Sequence, residues 1–188
     1  LHIWLPTAHP AAPAPASAVL SGVITKTGIY GVLVLSTTVF LHDKQWGMLL
    51  AVLGAVTMVL GAVLAVLSVD LKRTLACSSI SQIGFILVGT AMLCLLGEHN
   101  ALAVDGTILH ILNHSLIKMV LFPAAGIIHL TTHSFDLNDI RGFGRGKPLL
   151  ALVMGMPMLS LAGAPGLNGY VSKTLLHESI VEYIHALT

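Results

Sequence analysis

Long apolar runs separated by short polar linkers dominate the chain. A membrane-crossing helix needs roughly 20 mostly apolar residues at 1.5 Å rise each. Residues 16 to 41 meet that length with Lys26 as the only charge, and residues 47 to 69 meet it with no charge. Residues 74 to 96 form a third run, with a polar patch from Cys77 to Gln82. Residues 103 to 131 form a fourth, carrying Asp105, His110, His114, Lys118 and His129. Residues 148 to 187 are too long for one span and are interrupted at Gly163-Ala164-Pro165-Gly166-Leu167-Asn168-Gly169. Such punctuation predicts a discontinuous helix, one half before Pro165 and the other from about Asn168. The pattern predicts an all-α bundle of about five transmembrane helices, the last one broken. Ahead of it, Pro6, Pro10, Pro13 and Pro15 predict an irregular lead-in over residues 1 to 15. Residues 16 to 188 then form the membrane domain.

Composition agrees with a lipid setting. Hydrophobic residues make up 55% of the 188 and charged residues only 9%, with a mean hydropathy of +0.90. A water-facing surface requires roughly 25% charged residues. The formal net charge of +1 gives no reason to expect nucleic acid as a partner. Cys77 and Cys94 lie inside apolar runs and read as small hydrophobes. The chain opens at Leu1 without a charged segment and cleavage site. It is expected to be a piece of a longer protein.

The linkers predict orientation. Lys72 and Arg73 stand in the second linker, and Arg141, Arg145 and Lys147 in the fourth. Only Lys44 stands in the first, and the third carries Glu98 instead. The second and fourth linkers share a side, and the positive-inside rule makes that side cytoplasmic. Trp4 and Trp46 stand near span ends, where interfacial aromatics are common.

The remaining charges stand where lipid makes them costly. Lys26 is near mid-span, about 15 Å by rise from either end, beyond the reach of simple snorkelling. A Lys at a helix centre costs about 2.5–3.5 kcal/mol on insertion scales. His110, His114 and Lys118 recur every four residues, so they share one helix face, and His129 returns to it. Imidazoles exchange protons near neutral pH, which makes the stripe a candidate proton relay. Zinc bound by His110 and His114 lacks an acidic or Cys partner nearby in sequence, and haem lacks a second mid-membrane His. Pro123 frees the carbonyl of Met119 beside Lys118. Lys173 follows the helix break, a place where transporters build ion sites. His177, Glu178 and Glu182 come after it as possible carriers to the far surface, with His129 as a further accessory candidate. Ser78, Ser79, Ser81 and Gln82 either bond between helices or line a water path.

These residues fall in an order that resembles a known family. His2-Ile3-Trp4-Leu5-Pro6-Thr7-Ala8-His9-Pro10 is similar to the "H-x-W-L-P-D-A-H" signature of antiporter-like subunits. Such subunits occur in respiratory complex I, Mrp-type antiporters and membrane-bound energy-converting hydrogenases. The lysine-bearing segment Ser21-Gly22 to Lys26-Thr27-Gly28 follows, then Asp70-Leu71-Lys72-Arg73, the His110/His114/Lys118 series and Asn168-Gly169-Tyr170-Val171-Ser172-Lys173. The resemblance implies the family's eighth to twelfth helices and one half of an inverted-repeat fold. It maps Lys26 onto a central connecting lysine, His110, His114 and Lys118 onto a relay, and Lys173 onto an exit lysine. It implies proton translocation within a redox-driven complex (NADH:quinone oxidoreductase-like or hydrogenase-like), with a multi-subunit Na⁺/H⁺ antiporter as the alternative. It implies no redox chemistry, cofactor or metal in this chain. Iron–sulfur clusters and flavin or nickel–iron would belong to partner subunits; the chain would sit among other membrane subunits of the complex, in a prokaryotic cytoplasmic membrane. Thr7 departs from the motif, which usually has Asp there, and the family's glutamate–lysine input pair would lie upstream of Leu1.

Overall fold

The computed structural model of the chain describes residues 3–187. His2 of the opening motif lies outside them. The described residues are helical almost throughout: α1 (Leu5–Ala11), α2 (Ala14–Val19), α3 (Thr25–Thr38), α4 (Lys44–Val66), α5 (Leu71–Leu96), α6 (Ala101–Thr132), α7 (Pro148–Ala162) and α8 (Asn168–Leu187). A five-residue π turn, Leu20–Ile24, joins α2 to α3, so Ala14–Thr38 runs as one apolar rod. That rod, α4, α5 and α6 are each long and apolar enough to cross a membrane. The shorter α7 and α8 form the expected broken fifth element. Gly163 caps α7 with a left-handed φ of 89°, and Gly166 follows at 87°. A Cβ is unfavourable at both, which is why the chain breaks here.

The lead-in departs from the expectation of irregular backbone. Residues Leu5–Ala11 are α-helical despite two prolines. Pro6 sits in the first turn, where its missing N–H has no helical acceptor anyway. Pro10 comes near the end, so the helix loses little by it. The break falls instead at Ala12-Pro13, both extended in ψ.

Burial sorts the rods. α5 is the central one, with 78% of its most apolar window buried, against 17% for α4. The rim helix α4 lies against α5 through glycines. A Cβ on Gly54 would stand 2.9 Å from the Val88 nitrogen, and one on Gly61 2.4 Å from the Ser81 nitrogen. From the other side, a Cβ on Gly84 would meet the Met58 nitrogen at 2.5 Å. Gly47, Gly54 and Gly61 recur every seven residues and hold one seam. Backbones approach this closely in membranes because dispersion contact replaces the hydrophobic drive that lipid removes.

Caps fix the rod ends. Asp43 Oδ1 accepts from the Gln45 and Trp46 amides at 2.9 and 3.3 Å, and Asp70 Oδ1 accepts from the Arg73 amide at 2.8 Å. Trp46 donates to Ser36 Oγ at 2.9 Å and stacks on Phe40, so it ties the α3–α4 turn. The second and fourth linkers meet: the Leu71 amide donates to Phe135 O at 2.9 Å, and the Leu137 amide to Val69 O at 2.8 Å. The two basic linkers therefore stand at the same end of the bundle, hereafter the basic end. Lys72 differs from its expected loop setting. It begins α5, is only 3% exposed, and donates to Ala12 O at 2.7 Å.

Candidate functional site

The π turn prepares the first lysine. Widening the helix at Leu20–Ile24 loosens the usual pairing of its carbonyls. The Ser21 carbonyl accepts from Thr25 Oγ1 at 3.0 Å and also from the Lys26 ammonium. Lys26 is 8% exposed, so its charge is answered by backbone rather than by water. On the same turn, Gly22 admits Met119 of α6: a Cβ there would stand 2.8 Å from Met119 Cγ. This close approach brings the π turn and α6 together, four residues before Lys26 and one after Lys118.

Ser21 also faces α5. Its hydroxyl lies 2.8 Å from Ser79 Oγ. One residue earlier on α5, Ser78 Oγ accepts from Lys118 Nζ at 2.5 Å, and the Leu75 carbonyl accepts from the same nitrogen at 2.7 Å. Lys118 is wholly buried. Hydrogen bonds to a charged group contribute about 1.5–3 kcal/mol each. Two of them match the roughly 2.5–3.5 kcal/mol cost of a lysine at mid-membrane depth. Of the two roles left open for the serine patch of α5, these contacts show bonding between helices: Ser79 meets Ser21 and Ser78 accepts from Lys118.

His114, one turn before Lys118, is 1% exposed, and neither ring nitrogen has a partner among the described residues. His110, a further turn along, has Nδ1 3.0 Å from Ser172 Oγ of α8 and leaves Nε2 unpartnered. Its ring lies 5.8 Å from that of Phe85. Phe85 in turn carries Lys173 Nζ 5.0 Å from its centroid, within cation–π range. Lys173 donates to Leu161 O at 2.6 Å, a carbonyl left free where α7 ends. The break needs its glycines here too. A Cβ on Gly169 would fall 1.8 Å from Ser160 O, and one on Gly163 would crowd Lys173 Cδ at 3.2 Å.

Lys26, His114, Lys118 and His110, all buried, and half-buried Lys173 thereby form one band, from the π turn of the first rod to the break of the last. Three sequence candidates lie apart from it. His129 stands at the basic end, stacked on Phe135 with centroids 4.0 Å apart. His177 and Glu178 lie on the exposed face of α8, 72% and 53% exposed, with a 3.7 Å contact between them. Reading by sequence placed Ser78 among the interhelical candidates but did not pair it with Lys118, and it missed the Ser172 hydroxyl as partner of His110 and the Ser21 carbonyl as acceptor of Lys26.

A family model described as "NADH:quinone oxidoreductase/Mrp antiporter, TM" matches residues 1–187. The chain belongs to this family. Hydrogenase-4 component B of Escherichia coli (strain K12) is 37% identical over 188 residues, covering 96% of this chain and 28% of that protein. NAD(P)H-quinone oxidoreductase chain 4 1 of Picosynechococcus sp. is 40% identical over 176 residues, covering 92% of this chain and 32% of that one. Among solved structures, a chain of the Mrp complex from Dietzia sp. superposes with a TM-score of 0.90 at 29% identity, covering 98% of this chain and 33% of its own length. The membrane-bound sulfane sulfur reductase, an archaeal respiratory complex, gives 0.78 at 26% identity, with 94% and 35% covered. The chain thus spans about a third of each of these relatives. The relatives are components of multi-subunit complexes, and this chain is likewise an all-helical membrane protein segment of the antiporter-like type.

Proposed function

We propose that this segment carries protons across the membrane as part of an antiporter-like subunit in a redox-driven complex. The observation that carries the reading is the band of three lysines and two histidines, buried apart from half-buried Lys173, with no acidic partner among the described residues. Buried cations with no counter-ion are costly unless they discharge, and each can do so by passing its proton on. In the proposed path a proton reaches Lys26, passes by way of His110 and His114 to Lys118, and leaves by Lys173 at the helix break. Ser21, Ser78, Ser79 and Ser172 orient the donors. Charge on one lysine disfavours charge on the next, because like charges in a low-dielectric interior repel strongly. His177 and Glu178 beyond Lys173 on α8, and His129 at the basic end, are accessory groups outside the band.

Electron transfer, on iron–sulfur clusters with flavin or nickel–iron, belongs to partner subunits in this reading. The setting is a prokaryotic cytoplasmic membrane with the basic end inside. A second reading, a subunit of a multi-subunit Na⁺/H⁺ antiporter, is favoured by the Mrp superposition at a TM-score of 0.90. Co-purifying subunits separate the two. The relay itself is tested by proton pumping in membrane vesicles with Lys26→Ala and Lys118→Ala in the full chain. Loss of pumping in assembled complexes supports it, and unaltered pumping with intact assembly would sink it.

A further inference from the structure

The Leu75 carbonyl of α5 is offered more donors than it can serve. Lys118 Nζ donates to it at 2.7 Å, Ser78 Oγ at 2.8 Å and Ser79 Oγ at 3.1 Å. As an interior carbonyl of α5, it also faces the backbone amide four residues on. A carbonyl oxygen has two lone pairs, so these four donors compete. The amide is fixed by the helix, whereas serine hydroxyls rotate. Ser78 is held in place by the Lys118 ammonium, which donates to its oxygen at 2.5 Å. Ser79 has a second acceptor: the Ser21 hydroxyl lies 2.8 Å away, in a contact where either oxygen can donate. Ser21, Ser79 and Lys118 are wholly buried, so bulk water takes no part in the contest.

The same contest joins two relay lysines. Ser21 is the residue whose carbonyl, in the π turn, accepts from the Lys26 ammonium. Contacts therefore run without a gap from Lys118 to Leu75 O, Ser79, Ser21 and Lys26. Linking two helices calls only for a hydrogen bond of fixed direction. Here the direction of the Ser21–Ser79 bond is free, and the acceptor that competes for Ser79 is the one that Lys118 uses.

We propose that the Ser79 hydroxyl is a positioning switch through which Lys26 responds to the charge on Lys118. This rests on the relay reading and supplies a coupling between its two lysines. With Lys118 an ammonium, Lys118 and Ser78 both donate to Leu75 O. Ser79 is displaced and donates to Ser21, which turns its own proton back onto its helix. The positive end of the Ser79 O–H dipole then points at Ser21 and disfavours charge on Lys26. With Lys118 a free amine, its nitrogen accepts from Ser78 and no longer donates strongly to Leu75 O. Ser79 returns to that carbonyl, and Ser21 donates to Ser79. The Ser21 end of the pair is now negative and favours an ammonium at Lys26. No proton leaves either serine; only O–H bonds rotate. Lys26 is thus loaded when Lys118 is empty and refused while it is full, which adds to the direct repulsion between the two ammoniums.

The test uses the complete subunit in its complex, in sealed vesicles. Ser79→Ala removes the rotating hydroxyl and leaves the acceptors of Lys26 and Lys118 in place. Proton translocation is expected to fall about tenfold at parent assembly, within the roughly 5–150-fold range of coupling between sites. Ser79→Thr, which keeps the hydroxyl, should restore most of it. A fixed link between helices predicts the same pair of results, so the deciding readout is spectroscopic. In Ser79→Cys the thiol S–H stretch, taken by infrared as the difference from the parent complex, reports which acceptor the thiol holds. Adding Lys118→Met removes the ammonium from Leu75 O. The S–H band should then move to lower frequency, as the thiol turns from the Ser21 hydroxyl to the stronger carbonyl acceptor. A merely structural hydrogen bond leaves the band in place. An unmoved band, or parent-level translocation in Ser79→Ala, overturns the switch; the band decides the matter if Ser79→Thr does not assemble. Should the switch fail while Lys118→Gln is inactive in the vesicles, the relay survives; if Lys118→Gln translocates like the parent, both readings fall.

Discussion

Gly169→Ala isolates the geometry of the broken helix from the chemistry of the relay. An alanine Cβ at this position would lie 1.8 Å from Ser160 O. Real Cβ contacts essentially never fall under 3.0 Å, so the start of α8 must move by at least about 1.2 Å. Three links then fail together. The Gly169 amide leaves Ser160 Oγ, now at 3.1 Å, and Asn113 Nδ2 leaves Asn168 O, now at 2.9 Å. Ser172 Oγ moves from 3.0 Å to beyond hydrogen-bond reach of His110 Nδ1. Overpacking costs about 1–3 kcal/mol and each neutral hydrogen bond about 1 kcal/mol more. The expected result is an assembled subunit of lowered thermal stability, with proton translocation down by about tenfold or more. Gly155→Ala, on α7, is the control, because a Cβ there meets nothing within 4 Å. Equal translocation and equal melting in the two variants would refute the claim that a tight break positions Ser172 and Lys173.

Three further outcomes follow from the same contacts. Ser78→Ala removes one of two acceptors of the Lys118 ammonium, a loss of about 1.5–3 kcal/mol for the charged form; translocation should slow about tenfold or more, with Ser78→Thr retaining most of it. Gly84→Ala forces α4 off α5, since the new Cβ would meet Met58 N at 2.5 Å; detergent melting should fall while Gly28→Ala, with open space around it, leaves stability unchanged. Lys72→Met breaks the bond to Ala12 O and frees the α1–α2 turn, which limited proteolysis from the basic side should read as faster cleavage near Pro13.

The rods and the break were legible in the sequence because their signals are local. An uncharged 23-residue run such as 47–69 has few soluble alternatives, and Gly163 to Gly169 forbids a continuous helix. The shared face of His110, His114 and Lys118 follows from helical spacing alone. What faces that stripe does not, because it depends on how each rod is rotated and how deep it sits. So the pairs Ser78–Lys118, Ser21–Ser79 and Ser172–His110 emerged only from the fold. The π turn below Lys26 has no propensity signature, and it sets which carbonyl receives that ammonium. Lys72 was read as a loop charge because it follows a helix end, yet the lead-in folds over it. The lead-in was itself misjudged: proline was weighed as a breaker without regard to Pro6 standing in a first turn.

The central claim is that Lys118 carries the translocated proton between Lys26 and Lys173. The most direct measurement is protons moved per electron pair by the whole complex in proteoliposomes, with Lys118→Gln compared with the parent at matched assembly. Electron transfer with translocation lost, or both blocked together, is the predicted result. An unchanged ratio at an unchanged turnover rate would contradict it.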